Sequence, residues 1–276
     1  PPYISKLKRS VKHEKSITLK PRLIALISMP KDSLSSQVLS PRLLSEKQRR
    51  EMFQVFSQYY EGHSFEQFMK DLLEKDDVIL LLEKSTGQIQ GFSTLLKIKL
   101  QVGDKQIWAV YSGDTVLNRK HWGSKALGVT FLMYLFRLKL KNPFQEVYWF
   151  LISKGYKTYL IMANNFKTHF PRLEFSTPRF EKELMDDFYS KKFGSLYDST
   201  SGLIQPHGPS CHLKVDVADI DRELLKNPRI AYFQKMNPDW QKGTELCCIA
   251  RMSLLMPFYY IMKKVFKTKR LKTDGK

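Results

Sequence analysis

Between Gln106 and Leu140 the spacing of apolar positions changes once, and the change separates a strand from a helix. QIWAVYSGDTV (106–116) is β-branched, aromatic and apolar, as a buried strand is. From Lys125 onward Leu127, Phe131, Tyr134, Leu135 and Leu138 recur at three- and four-residue steps, the spacing of one helix face. Upstream, VILLLE (78–83), a turn at Ser85-Thr86-Gly87, QGFSTLLKIKL (90–100) and a turn at Val102-Gly103-Asp104 predict a three-stranded meander with 106–116. Downstream, EVYWFLI (146–152) is reached by a crossover and is expected parallel to 106–116.

Further apolar runs extend the pattern. Leu23 to Met29 reads as a short strand. Ser45-Glu46-Lys47-Gln48 has the form of a capping box, with Met52, Phe53, Phe56 and Tyr60 following on one face. Gly62 stops that helix, and Ser64 to Lys75 forms a second with Phe65, Phe68, Met69 and Leu72 inward. After 152 the chain predicts a helix through 156–166, then helices at 180–189, 219–225 and 230–236 and a late strand at 245–252 able to complete the sheet. The stretch 195–203 is rich in turn residues.

The turn between the organising strand and its helix, Asn118 to Ser124, carries Arg119, Lys120, His121 and Gly123 and opens onto a helix N-terminus. Free backbone N–H groups beside three potential cations make an anion site, or else a well-solvated connection. Taken with the order of two helices, three strands, helix, strand, helix, the run from Asp114 to Gly123 resembles the GNAT-type N-acyltransferases over roughly residues 20–170. That family's donor loop has an acidic residue, a hydrophobic strand end and then Arg/Gln-x-x-Gly-x-Gly/Ala. Asp114 falls on the acidic position and Gly123 on the first glycine. Trp122 stands where Arg or Gln is usual, Lys125 replaces the second glycine, and the next small residue is Gly128.

The resemblance implies an α/β (α+β) fold, a mixed, mostly antiparallel sheet with one parallel strand pair and flanking helices, here followed by a C-terminal extension. The parallel pair would diverge at its carboxyl ends, where open α/β sheets bind ligands. An acyl thioester would enter this wedge, with no permanently bound cofactor and with acyl-CoA or an acyl carrier protein as co-substrate. Tyr111, Ser112 and Gly113 would offer backbone donors to the carbonyl, and Arg119, Lys120, Gly123, Ser124 and Lys125 would hold phosphates or an acidic carrier. Asp114 would remove the amine proton, or else only cap the turn. Tyr159, then Tyr156, would protonate the thiolate, or else be core tyrosines with one hydrogen bond. The less glycine-rich loop points toward relatives that make N-acyl amino acids or acyl-homoserine lactones from carrier-bound chains.

With 276 residues and 42% hydrophobic content the chain supports a substantial core. Its 46 Lys+Arg against 27 Asp+Glu, a formal +19, favours polyanionic partners: nucleotide phosphates, an acidic carrier, an anionic membrane or nucleic acid. Three cysteines, Cys211, Cys247 and Cys248, form no disulfide framework, which fits a reducing cytoplasm. Residues 20–30 have too short an apolar centre for a signal peptide. The most apolar stretch, 246–262, is broken by Arg251 and Pro257 and falls short of the roughly 20 residues of a membrane span. Residues 1–22 read as a basic arm, 23–172 as the acyltransferase-like core and 173–276 as an extension. The extension ends in an amphipathic, basic helix that either docks on the core or lies at the inner face of a membrane. HGPSCH (207–212) is the one zinc-like cluster, a weak pattern, and no metal is expected.

Two functions follow. The first is transfer of an acyl group from a thioester to an amine. The alternative is a non-enzymatic basic protein that binds anionic membrane or nucleic acid, although no helix-turn-helix, RRM or finger motif is present. No Gly-x-Ser-x-Gly elbow supports a covalent hydrolase.

Overall fold

The computed structural model describes residues 33–205 and 219–256, together with the backbone of 212–213. The basic arm, the strand expected at 23–29, the HGPSCH cluster apart from the backbone of His212, and the tail beyond 256 lie outside the described residues. In chain order the elements are β1 (Leu34–Leu39), α1 (Glu46–Phe56), β2 (Tyr60–Glu61), α2 (Phe65–Leu73), β3 (Asp77–Glu83), β4 (Ile89–Val102) and β5 (Lys105–Leu117). Then come α3 (Ala126–Lys141), β6 (Glu146–Ser153), α4 (Tyr156–Asn165), β7 (His169–Phe170), α5 (Arg179–Phe193), β8 (Tyr197–Asp198) and β9 (Leu203–Ile204). Last are β10 (His212–Leu213), α6 (Pro228–Met236) and β11 (Glu245–Met252).

The main sheet runs β1-β3-β4-β5-β6-β11-β9-β8, with β7 on β11, while β2 pairs β10 separately. Every ladder of the main sheet is antiparallel except β5 with β6. This is the element order and the single parallel pair that the resemblance implies. The late strand β11 enters beside β6, so residues 245–252 belong to the same sheet. Among the described residues no helix is long and apolar enough to cross a membrane.

Local chemistry accounts for the helix starts. Ser45 Oγ accepts from the Gln48 N–H at 3.2 Å while Gln48 Oε1 accepts from the Ser45 N–H at 2.9 Å, a closed capping box. Ser64 caps α2 through the Gln67 N–H at 3.1 Å. The helix expected at 219–225 is absent. Asp221 Oδ1 takes the Leu224 N–H at 2.8 Å as an N-cap would, but only a short 3-10 turn, Leu224–Lys226, follows before Asn227 caps α6. Asn227 precedes Pro228 and is extended, with φ −78° and ψ 114°, which stops the turn.

Strand alternation assigns the two faces. One carries Phe92, Leu96, Tyr111, Tyr148, Phe150 and Ile249 under α1, α2 and α5; the other carries Leu95, Val110, Trp149, Leu151 and Cys248 under α3, α4 and α6. We refer to these as the α5 face and the α3 face.

Candidate active site

The β5–β6 ladder runs from Ile107 opposite Glu146 to Ser112 opposite Leu151 and stops, although β5 continues to Leu117. Beyond Ser112, β5 has no ladder partner on its β6 side. On its β4 side the register slips at the same level: Leu95 opposes Ser112 and Ser93 opposes Thr115, so Thr94 alone faces both Gly113 and Asp114. Two residues against one is a β-bulge, which re-aims side chains. Its effect can be read from burial. Ile107, Ala109 and Tyr111 pack on the α5 face, and after the bulge Val116 packs with Phe92 and Val78 on that same side. The odd-numbered phase has become even-numbered.

Gly113 is required at the bulge. A Cβ there would stand 2.7 Å from Thr94 Oγ1 and 3.1 Å from Lys75 Cε. The Thr94 hydroxyl is fully buried and has no hydrogen-bond partner among the described residues.

Asp114 is half-buried and lies within electrostatic reach of Lys75, Asp71, Lys154 and His63. Burial holds its carboxyl above the usual carboxylate range, and Lys75 and Lys154 pull against that. Around it, Lys75 Nζ donates to the Asp71 carbonyl at 2.7 Å, His63 Nε2 lies 3.3 Å from Asp71 Oδ2, and Lys154 Nζ lies 3.5 Å from Glu245 Oε1. From α5, Lys192 places its ammonium 4.9 Å from the centre of the Tyr111 ring. Burial, with Lys75 adding repulsion, pushes Lys192 down to about 8. The Tyr111 hydroxyl is held well above its ordinary value by burial, with Glu245 and Asp114 adding to it. The sequence reading reached Tyr111, Gly113 and Asp114, but Lys75, Lys154, Lys192, His63, Asp71 and Glu245 come from elements that no local pattern connects.

The α3 face of the wedge is built differently. The Arg119 N–H donates to Tyr59 Oη at 2.8 Å, which anchors the loop to the end of α1. Gly123 has φ +93°, a left-handed conformation that suits glycine. Ser124 Oγ accepts from the Ala126 N–H at 3.2 Å as α3 begins. Trp122, 41% exposed, donates from its indole to the Leu117 carbonyl and lies between two cations, Lys157 Nζ at 3.8 Å and the Arg119 guanidinium at 5.5 Å from its ring. Lys120 instead reaches Glu83 at 3.1 Å, as does His121 at 3.3 Å. Lys125 is exposed at the helix entrance. The Ser112 side chain turns to this face and accepts from the Trp149 indole at 2.8 Å.

Both candidate acids lie on α4, on the α3 face of the sheet. Tyr159 is 1% exposed, donates to the Pro171 carbonyl at 3.2 Å and packs against Tyr232 and Phe233. Burial raises its pKa, and its charged neighbours are Arg229 and Glu174 rather than those of Asp114. Tyr156 opens α4 next to the end of β6, with its hydroxyl also pushed up by burial and then by Asp221. Among the described residues no His, Cys, Asp and Glu side chains group as metal ligands would.

No protein-family model matches this chain, and no curated protein matches it. Solved structures align with about half of it. A Trypanosoma brucei acetyltransferase does so at 17% identity over 52% of this chain and 99% of its own, with a TM-score of 0.34. Glucosamine-6-phosphate N-acetyltransferase from Arabidopsis thaliana aligns at 14% identity, 52% and 99% coverage and TM-score 0.36. An aminoglycoside acetyltransferase from an uncultured soil metagenomic sample, in complex with sisomicin, aligns at 14% identity, 53% and 96% coverage and TM-score 0.37.

Proposed function

We propose that this protein transfers an acyl group from a thioester, acyl-CoA or an acyl carrier protein, to an amine in the β5–β6 wedge. The observation that carries the reading is the coincidence at one level of the sheet of three features: the end of the parallel ladder, the Gly113–Asp114 bulge, and a half-buried carboxylate with a raised pKa.

The donor enters from the α3 face. Its phosphates, or the phosphopantetheine of a carrier, meet Arg119, Lys125 and the backbone at Gly123, while the Ser124 and Ala126 N–H groups are taken by the His121 carbonyl and Ser124 Oγ. Lys120 is committed to Glu83 and contributes to the field rather than a contact. The thioester carbonyl takes a hydrogen bond from backbone at Gly113, just past the end of the ladder; Tyr111 and Ser112 are still paired with Phe150 and Leu151. The amine arrives from the α5 face. Asp114 removes its proton as the C–N bond forms, the tetrahedral adduct collapses, the C–S bond breaks and the thiolate is protonated. Tyr156, at the first turn of α4, is the better-placed tyrosine for that last proton; Tyr159 already donates into the core.

Asp114→Asn keeps shape and removes the base. Turnover, followed as thiol release from acetyl-CoA or palmitoyl-CoA, is expected to fall on the order of a hundredfold with the donor KM retained. In the unaltered protein the rate falls as pH drops through the raised Asp114 pKa, and the variant loses this acidic limb. The melting temperature should hold or rise, because a carboxylate whose folded pKa is raised costs stability above that pKa. Normal turnover by Asp114→Asn would remove the aspartate from the chemistry.

A further inference from the structure

Phe144, in the turn between α3 and β6, is 99% exposed. Its backbone, by contrast, is held on both sides. Lys139 Nζ donates to the Pro143 carbonyl at 2.9 Å and to the Gln145 carbonyl at 2.5 Å. The Gln145 side-chain amide also donates to Gln106 Oε1 at 2.8 Å, which ties the turn to the start of β5. A pinned turn therefore displays the ring to solvent.

Other apolar groups share this end of the sheet. β11 runs antiparallel to β6 with Met252 opposite Val147, so residues 253–256 emerge beside the start of β6. There Met256 enters the core of the α3 face while Leu254 and Leu255 stay outside, Leu255 at 71% exposed. Leu140, in the last turn of α3, is exposed as well. Exposed cations surround them: Arg137 and Lys141 on α3, Lys105 at the start of β5 and Arg251 on β11. Arg251 neutralises Glu146 at 2.9 Å, and Asp104 is an exposed acid beside Lys105. Beyond Met256 the sequence continues through residues 257–276, which carry seven Lys or Arg, one Asp and four Phe or Tyr.

Apolar side chains flanked by cations match a surface that is negative outside and hydrocarbon beneath. A protruding ring needs a fitted pocket in a protein partner and none in a lipid layer. Nucleic acid would be gripped by the cations and would gain nothing from the leucines. We propose that this end of the sheet docks on an anionic membrane. Phe144, Leu140, Leu254 and Leu255 enter the boundary of the acyl chains, Arg137, Lys141 and Lys105 meet the head groups, and the basic tail after Met256 adds charge. The β5–β6 ladder starts at this end and the wedge opens at the other, so docking leaves the wedge unobstructed.

The test is sedimentation of the full chain with vesicles of phosphatidylcholine alone or with about 30% phosphatidylglycerol; binding is expected to be about tenfold stronger on the anionic vesicles and to weaken with salt. Phe144→Ser and Leu255→Ser should each lower that partitioning about fivefold. Both should melt as the unaltered protein does, because these side chains already face water. Phe144→Trp, with vesicles of brominated acyl chains, should show quenched emission that the unaltered protein lacks. Equal binding to both vesicles, full partitioning by Phe144→Ser, or no added quenching would overturn the proposal. Emission from Phe144→Trp that is blue-shifted before any vesicle is added would overturn it too, and would mean that residues 257–276 or a second copy cover the site. Salt-sensitive binding to RNA or DNA without binding to vesicles would replace the membrane by nucleic acid. Acyl transfer stands or falls separately, on thiol release.

Discussion

On the α3 face of the wedge the charges stand in water; on the α5 face they are half-buried and crowded. Arg119, Lys120 and Lys125 are exposed, and the loop that bears them is a contiguous stretch of chain tied down by Tyr59, Glu83 and the Ser124 hydroxyl. Asp114, Asp71, Lys75, Lys154, Lys192 and Glu245 come from β5, α2 and its C-terminal turn, the turn after β6, α5 and β11. Exposed cations attract a polyanion at long range and are screened by salt. Half-buried groups feel each other strongly, so their pKa values move, and a single substitution is felt across the set. The first arrangement suits grip on a large anionic donor; the second suits proton transfer and choice of acceptor.

Three variants test that contrast, and the bulge that divides the faces gives the largest effect. Gly113→Val drives a side chain into Thr94 and Lys75 at 2.7 and 3.1 Å, so the bulge must shift and Asp114 with it. Overpacking of this kind costs about 1–3 kcal/mol, and misplaced chemistry costs roughly a hundredfold in turnover. Thermal melting and thiol release together report it, and a fully active Gly113→Val would show that the bulge does not position the reaction.

Reversing the exposed charges comes next. Arg119→Glu with Lys125→Glu is expected to raise the donor KM about tenfold at low salt and much less at high salt, with the melting temperature unchanged. A donor KM that ignores both the substitutions and the salt would move the phosphate site off this loop. The smallest change is expected at Tyr159→Phe. Losing one hydrogen bond to the Pro171 carbonyl should cost about 1 kcal/mol of stability, with turnover within about twofold. A large fall in turnover at unchanged stability would return Tyr159 to the chemistry.

The meander, the crossover helix, the parallel return strand and the late strand β11 were legible because each is a local run whose period of two or 3.6 shows in neighbouring residues. The basic loop was legible for the same reason. The phase break on β5 was present as well, since the apolar positions move from Ile107, Ala109 and Tyr111 to Val116 across Gly113-Asp114, but a slip of one residue becomes a bulge only against the register of β4. The 219–225 segment misled because its apolar spacing was read without Pro228, which holds Asn227 extended and stops the turn after Lys226.

Chain order determined the sheet, its one parallel pair and the place where that pair would open, because local hydrophobic period and connection rules act between near neighbours in sequence. Tertiary structure decided the electrostatics. It aimed Asp114 at the α5 face, brought Lys192 from nearly eighty positions away to stand over Tyr111, and left Tyr159 in the core. Ionisation depends on distance and burial in space, and a periodic pattern in one dimension carries neither.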